Sequence, residues 1–356
     1  MATVLSFQVL EEKIDSYRSV GHLIALHHDP LAIVVSTPIM QRAHTLRESS
    51  QLAFVDSTAN CDCENHSLTF ILCPCAAGAV PLGVLITDGQ STTDYTLAFT
   101  LFKAATDSHS FGGHGQPQTF VTDDSDAEQA ALHEVWPGSK TVLCLFHVQQ
   151  AVWRWLWDTR HGIQQNDRKL LMATFQQLVR STNIEDAVTT YSLHIESELW
   201  SRYPQWQQYM ATYWQRRQLW CMAWRDASLM GHNTNNFSEA TIRVFKDIVL
   251  GRGKAYSVVT LVDFTCTVME DYYRHRLRIF SQSRVHKPRL LLDSLVRKAA
   301  YLDKAAITAI DEDNFSVPSE QDASVSGEQK HYVVNRATAM LQQLGGFANI
   351  RQAFGS

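Results

Sequence analysis

The sequence lacks the features of a membrane-spanning or secreted protein. No stretch of the chain reaches the roughly 18 consecutive apolar residues of a membrane-spanning helix. The first eleven residues do not combine a basic start with a long apolar core, so we expect no secretory leader. The cysteines number seven and are unevenly clustered, which argues against a disulfide framework. We therefore predict an intracellular, reduced protein without a membrane partner.

The chain also lacks an overall positive charge. Its formal net charge is −5, and a composition of 45% hydrophobic and 19% charged residues is ordinary for a globular protein. Residues 216–287 nevertheless carry twelve Lys or Arg against six Asp or Glu. Such a local bias is typical of a nucleic-acid contact, but a solvated helical face would look the same. The candidate DNA contacts in this stretch are Arg243, Lys246, Arg252 and Lys254.

Strand and helix patterns follow one another in the order β-β-β-α-β-α-β. Short polar or glycine-rich turns separate the first three strands, which favours an antiparallel meander. The last two strands alternate with helices. The order outlines an α/β, ribonuclease H-like fold with a mixed five-stranded sheet. The five predicted strands are Leu52–Ser57, Ser67–Cys73, Pro81–Thr87, Thr119–Thr122 and Thr141–Phe146, and a short edge strand, Ile33–Thr37, precedes them.

The remaining patterns divide the chain into five segments. The middle third is helical and rich in tryptophan, which predicts an all-α insertion before the helix that starts near residue 236. Residues 310–330 are acidic, serine-rich and poor in large apolar side chains, which predicts a disordered linker. The predicted segments are 1–49 (N-terminal segment), 50–160 (first part of the α/β core), 161–230 (insertion), 231–285 (last core helices) and 286–356 (helical or disordered tail).

Three carboxylates stand at the ends of these patterns. Asp56 and Asp123 each terminate an apolar strand, where a carboxylate is costly to bury unless a cation or hydrogen bonds compensate it. Glu239 lies just inside a helix start. Brought together, the three would form an oxygen-ligand site for hard divalent metal ions.

Two of these assignments compete with simpler interpretations. Asp124 is an alternative to Asp123, but Ser125 can cap the next helix through a capping box with Glu128, which leaves Asp123 without a structural task. We therefore favour Asp123 as the ligand and keep Asp124 as an alternative cap. Glu239 would also serve as a capping residue after Asn236, since a carboxylate in a first turn meets the helix dipole favourably.

A cysteine- and histidine-containing segment, Cys61–His66, has the residue types of half a zinc site. Completing it with Cys73 and Cys75 requires ligands from the far end of an extended strand, roughly 23 Å from His66. We therefore expect no zinc site built from these cysteines.

Taken together, these features resemble the Mutator-like element (MULE) transposase family from about residue 50 to residue 284. The family pattern is an Asp ending a first strand, a Thr-Asp pair before an Ala-containing helix, an aromatic-Pro turn, a Cys-x-x-His motif and a Thr-Asn-Asn-x-x-Glu helix. The matching residues are Asp56, Thr122 with Asp123, Trp136 with Pro137, Cys144 with His147, and Thr234 with Asn235, Asn236 and Glu239.

The resemblance implies a DDE-type transposase whose catalytic residues Asp56, Asp123 and Glu239 hold two Mg²⁺ or Mn²⁺ ions. One ion would activate water or a 3′-hydroxyl, and the other would stabilise the leaving oxygen of a phosphodiester. It also implies DNA partners (transposon terminal repeats and target DNA), a homo-oligomer and a nuclear location. The sequence assigns no physical role to Cys144, His147, Asn235 and Asn236.

Full-length relatives usually carry a DNA-binding segment before the catalytic domain and a SWIM zinc finger after it. Residues 1–49 would then be a remnant of the DNA-binding region, and residues 50–160 and 231–285 would be the two parts of the catalytic core. No cysteine follows Cys266 here, so we expect a truncated or decayed copy. Two other functions stay open. One is a catalytically inactive or domesticated transposase-derived protein that binds DNA or regulates, and the other is a ribonuclease H-like nuclease without strand transfer.

Overall fold

The structure is a computed structural model that describes residues 2–253, 256–282, 306–310, 314–318, 331–335 and 340–343. The chain divides into two compact units. The first comprises residues 1–224 and 233–282, and the second comprises residues 225–232 and 283–356.

A seven-stranded mixed sheet is the centre of the first unit. Its spatial order is β1-β2-β5-β4-β3-β6-β7, and the pairs are antiparallel except β3–β6 and β6–β7, which are parallel. The strands are β1 Leu23–His28, β2 Leu31–Ser36, β3 Leu52–Thr58, β4 Ser67–Cys75, β5 Gly78–Thr87, β6 Thr119–Thr122 and β7 Lys140–Leu143.

The sheet has seven strands, two more than the predicted five, because β1 and β2 extend it beyond β5. The predicted edge strand is the interior strand β2, which pairs with β5 on one side and with β1 on the other. The apolar run Leu31–Val35 is buried, so its backbone groups need partners on both sides. The less apolar β1, which ends in His27 and His28, supplies the second partner.

Helices cover the sheet and fill the chain between β7 and residue 236. The predicted strand Thr141–Phe146 was too long, because helix α6 already begins at Leu145. The helices are α1 Ala2–Arg18, α2 Pro38–Ala43, α3 Arg47–Gln51, α4 Thr92–Thr106, α5 Asp126–Val135, α6 Leu145–Trp157, α7 Gln165–Arg180, α8 Ile184–Ile195, α9 Glu198–Arg202, α10 Pro204–Gln215, α11 Arg217–Trp220, α12 Asn236–Val244, α13 Val258–Phe264 and α14 Glu270–Ser281.

Two π-helical turns, Phe245–Val249 and Thr265–Met269, extend α12 and join α13 to α14. Between β7 and α12 the structure contains helices α6 to α11 and short 3₁₀ turns, in agreement with the predicted all-α segment. Within the described residues, no helix has both the length and the apolar character needed to span a bilayer.

The described residues of the second unit include a small antiparallel sheet in the order β11-β10-β9-β8. The predicted disordered linker 310–330 was wrong at β9, where Phe315 and Val317 alternate with polar neighbours in a strand too short to dominate the composition of the whole segment. The remaining predicted boundaries lie partly outside the described residues. These strands are β8 Thr308–Ala309, β9 Asn314–Pro318, β10 His331–Asn335 and β11 Met340–Gln343.

An aromatic cluster fixes α4 against β6. The indole ring of Trp136 is fully buried, and its N–H donates to the carbonyl of Gly115 at 3.0 Å. The rings of Phe99, Phe111 and Phe120 lie around it with centroids 5.2–6.1 Å away. Because β6 leads directly to Asp123, this cluster supports the strand end that carries the carboxylate.

We expect Trp136→Ala to destabilise the protein by about 3–5 kcal/mol, because it removes a large buried ring and leaves a cavity. Trp153→Ala is the matched control, since Trp153 is 47% exposed and should cost less than about 1 kcal/mol. Urea unfolding followed by circular dichroism measures both. Equal costs for the two variants would contradict the central position of the cluster.

Candidate functional site

Sheet register brings Asp56 and Asp123 to the same edge. Phe54 in β3 pairs with Val121 in the parallel strand β6, and Asp56 and Asp123 each follow two residues later. Neighbouring strands lie about 4.8 Å apart, so the carboxyl ends of these strands carry their aspartates side by side. Asp56 is 7% exposed, whereas the side chain of Asp123 is 35% exposed.

Two contacts hold the start of α12 against β3. The side-chain amide of Asn235, which is fully buried, donates to the carbonyl of Val55 at 3.1 Å. The ring of Phe237 meets that of Phe54 edge-to-face with centroids 5.6 Å apart. Since Val55 directly precedes Asp56, these contacts bring the first turn of α12, with Glu239, to the aspartate edge.

His147 joins two of the predicted ligands. Its Nδ1 atom contacts the carboxylate of Asp123, and its Nε2 atom lies 3.1 Å from Oε1 of Glu239. The carboxylate of Asp123 and the thiol of Cys144 raise the pKa of His147 to about 10, against the opposing effect of burial. The ring therefore keeps its second proton at neutral pH and lies between two carboxyl groups.

Cys144 connects the starts of helices α6 and α12. It is fully buried at the N-terminus of α6, and its sulfur accepts a hydrogen bond from the backbone N–H of Asn235 at 3.1 Å. The backbone N–H of Leu145 also donates to the carbonyl of Asn233 at 3.0 Å. The Cys-x-x-His motif and the Asn-Asn motif thus fix the start of α6 against the start of α12. Asn236 is exposed at this junction.

Asp124 has a separate partner. Its two carboxylate oxygens accept from the guanidinium of Arg216 at 2.6 and 2.5 Å. This bidentate ion pair ties the end of β6 to the helical segment, and it occupies Asp124 while Asp123 faces His147. Of the two competing aspartates, Asp123 is the one that shares His147 with Glu239.

The predicted capping box at Ser125 forms only in part, and the predicted capping bond of Glu239 does not form. Helix α12 begins one residue earlier than predicted, with Asn235 as its N-cap and without a side-chain capping bond, so Glu239 is free to contact His147. At α5, Ser125 accepts from the backbone N–H of Glu128, but the Glu128 carboxyl accepts from the hydroxyl of Ser57 at 3.2 Å instead of turning back to the cap.

Glu128 is a fourth acidic group that the sequence analysis missed. It is 2% exposed, and its Oε1 atom has no hydrogen-bond partner among the described residues. A signal was present, because Glu128 lies on one helical face with Ala131, Leu132 and Val135, all of which are buried. A carboxyl on an apolar face indicates a buried acid.

The electrostatics of the site reflect crowding of like charges. Burial raises the pKa of Asp56 to about 7, and the negative charges of Asp123 and Glu239 add to the effect. Burial also raises the pKa of Glu128 to about 8, with contributions from Asp56 and Asp123. A divalent cation would relieve this repulsion, and carboxylate oxygens are the donors that Mg²⁺ and Mn²⁺ prefer. The carboxylates are therefore ligands of the right type for such an ion, while the group at this site whose ligand atoms lie within 4.8 Å of one another is Asp123, Cys144 and His147.

The predicted DNA-contacting residues that the structure describes differ in their local partners. Arg243 is exposed, Lys246 donates to the carbonyl of Ala59 at 3.2 Å, and Arg252 pairs with Asp247 at 3.0 Å. Lys254 lies outside the described residues. Their contact with DNA stays a prediction.

Comparison with known families identifies one domain. Residues 53–151 match the family model of the MULE transposase domain, which confirms the resemblance inferred from the sequence motifs. The matched stretch contains Asp56, Asp123, Cys144 and His147, while Glu239 lies beyond it. A comparison with curated proteins finds no match.

We expect Asp56→Asn to stabilise the metal-free protein increasingly as pH rises. The pKa of Asp56 is raised from 3.8 to about 7, so the folded state holds this proton more tightly than the unfolded chain. The wild-type free energy of unfolding therefore falls between about pH 4 and pH 7 by up to about 4 kcal/mol. Asn cannot ionise and lacks this loss.

Unfolding in EDTA at pH 5 and pH 8 measures the effect. Asp126→Asn, at an exposed position in the first turn of α5, is the matched control and should follow the wild-type protein. A difference between Asp56→Asn and wild type that does not grow with pH would contradict the assignment.

Proposed function

We propose that this chain, a member of the Mutator-like element transposase family, is the catalytic core of a DDE-type DNA transposase that cuts and joins phosphodiesters at transposon ends. The proposal rests on one observation. Asp123 and Glu239 each contact one nitrogen of His147, and the buried Asp56 lies at the end of the strand next to that of Asp123. These residues come from three elements that are far apart in the sequence.

The strand order supports the assignment to a ribonuclease H-like fold. Strands β3 to β7 lie in the order β5-β4-β3-β6-β7, with three antiparallel strands followed by two parallel ones. This arrangement corresponds to the predicted β-β-β-α-β-α-β outline, to which β1 and β2 are added at the β5 edge. Its carboxyl edge at β3 and β6 carries the two aspartates.

Asp56, Asp123 and Glu239 are the residues that would hold Mg²⁺ or Mn²⁺. When bound, two such ions would activate a water or a 3′-hydroxyl of the DNA as the nucleophile and would stabilise the leaving oxygen during in-line attack. Asp56 is fixed in the middle of the sheet and buried, so its carboxylate is held in one orientation. The side chain of Glu239 is 43% exposed and contacts His147.

We assign His147 and Cys144 a positioning role in this site. The His147 ring holds Asp123 and Glu239 at opposite nitrogens, which offsets their repulsion before metal binds. Cys144 fixes the first turn of α6 through the Asn235 backbone bond, and so fixes the ring. DNA as the substrate, a homo-oligomer and a nuclear location are part of the same proposal and rest on the family.

We expect Asp123→Asn to abolish Mn²⁺-dependent nicking and strand transfer on DNA that bears the element's terminal repeats. Loss of one carboxylate ligand should lower the rate on the order of a thousandfold, which corresponds to several kcal/mol of transition-state stabilisation. Product formation on a labelled duplex measures both steps. Asp126→Asn is the control and should retain wild-type activity.

The alternatives give different results in this assay. A wild-type protein as inert as Asp123→Asn would favour a transposase-derived regulatory or inactive protein. Cleavage of RNA in a hybrid without cleavage of duplex DNA would favour a ribonuclease H-like nuclease. Either outcome would contradict the proposed transposase activity.

A further inference from the structure

A second group of metal-ligand side chains lies at the β3–β4 turn, apart from the site described above. His66 precedes β4, Asp62 and Glu64 lie in the turn before it, and Asp88 follows β5. Sheet register pairs Ser67 with Thr87, which brings His66 and Asp88 together at the ends of neighbouring strands. Asp56 pairs with Phe70, so His66 lies four residues farther along β4, roughly 13 Å away.

The imidazole of His66 is oriented by Asp62. Oδ2 of Asp62 lies 2.5 Å from Nδ1 of the ring, and its Oδ1 accepts from the His66 backbone N–H at 2.8 Å. Asp62 and His66 are 5% and 6% exposed. A carboxylate on one ring nitrogen is the usual support for a histidine that binds metal through its other nitrogen.

The other ring nitrogen faces two more carboxylates. Nε2 of His66 lies 3.7 Å from Oε2 of Glu64 and 3.7 Å from Oδ1 of Asp88. Both distances are too long for a hydrogen bond, and within the described residues no other group bonds Nε2. Ligand atoms of Asp62, Glu64 and His66 lie within 4.8 Å of one another. A nine-tenths buried ring thus directs an unused nitrogen between two acids.

The distances from Nε2 of His66 to the two carboxylates fit ligands of a shared small ion better than they fit direct hydrogen bonds. Two ligands about 2.1 Å from a tetrahedral Zn²⁺ lie about 3.4 Å apart, close to the observed 3.7 Å. Three carboxylates surround one imidazole, and no Lys or Arg of the described residues forms an ion pair with them. The side chain of Glu64 is 62% exposed. Oδ2 of Asp88 accepts from the backbone N–H of Leu31 at 2.8 Å, which leaves Oδ1 directed towards Nε2 of His66.

We propose that His66, Glu64 and Asp88 form a binding site for one Zn²⁺ ion, with Asp62 as the residue that orients His66. A nitrogen ligand beside two carboxylates favours Zn²⁺ over Mg²⁺. The ion would stabilise the β3–β4 turn. The same turn contacts the chain after α12, because the backbone N–H of Cys63 donates to the carbonyl of Tyr256 at 2.9 Å. The site is structural and independent of the proposed transposase activity.

Zn²⁺ binding to the EDTA-treated full chain tests the proposal. Equilibrium dialysis with metal analysis should give one Zn²⁺ fewer per chain for Glu64→Gln and for Asp88→Asn than for wild type at the concentration that saturates wild type. Both variants should also lose the Zn²⁺-dependent rise in melting temperature. Asp62→Asn should bind the ion about 10- to 100-fold more weakly, and Mg²⁺ should not replace Zn²⁺.

Glu185→Gln, an exposed acid in the first turn of α8, is the matched control and should bind as wild type does. Glu64→Gln keeps the test independent of folding, because Glu64 is exposed whereas His66 is buried. The same Zn²⁺ stoichiometry and affinity in wild type and Glu64→Gln would overturn the proposal. So would a wild-type protein whose bound Zn²⁺ is lost entirely on Asp123→Asn substitution.

Discussion

Repulsion among buried and half-buried carboxylates is the constraint around which the site is organised. Asp56, Asp123, Glu128 and Glu239 influence one another closely enough that burial and like charge raise the pKa values of Asp56 and Glu128 towards neutrality. Such crowding costs folding free energy unless a cation offsets it. His147 supplies one positive charge, which leaves a net negative site suited to divalent ions.

The backbone resists this repulsion through packing that lies behind the site. Strand β3 pairs with β4 on one side and with β6 on the other, so the strand that carries Asp56 lies in the interior of the sheet. The amide of Asn235 bonds the Val55 carbonyl across 180 positions of sequence. Because these contacts are buried, the carboxylates cannot separate without loss of sheet and helix packing.

The family motifs receive a physical explanation from the same geometry. Cys144 and Asn235 are the N-caps of α6 and α12, and His147 and Glu239 lie in the first turns of these helices. The cysteine meets the asparagine backbone, and the histidine meets the glutamate. The motif residues therefore fix two helix starts relative to each other, which sets the separation of Asp123 and Glu239.

Local patterns gave most of the central sheet correctly. The meander β3–β5, strand β6 and helices α4 and α5 follow from apolar runs, turn residues and a serine cap. Strand β1 was missed because it is less buried and less apolar than β2 and ends in His27 and His28. The expected bonds from the Glu128 and Glu239 side chains to their helix caps do not form, because both residues make tertiary contacts that outweigh a local bond worth about 1 kcal/mol.

The sequence by itself determined which residues could hold metal, since a carboxylate at the end of an apolar strand needs compensation wherever that strand packs. Only the tertiary structure decided which acids meet. It paired Asp124 with Arg216, directed Asp123 and Glu239 to His147, buried Glu128 beneath them and grouped His66 with Glu64 and Asp88. The reason is that contacts between distant segments depend on strand order and register, which no local pattern contains.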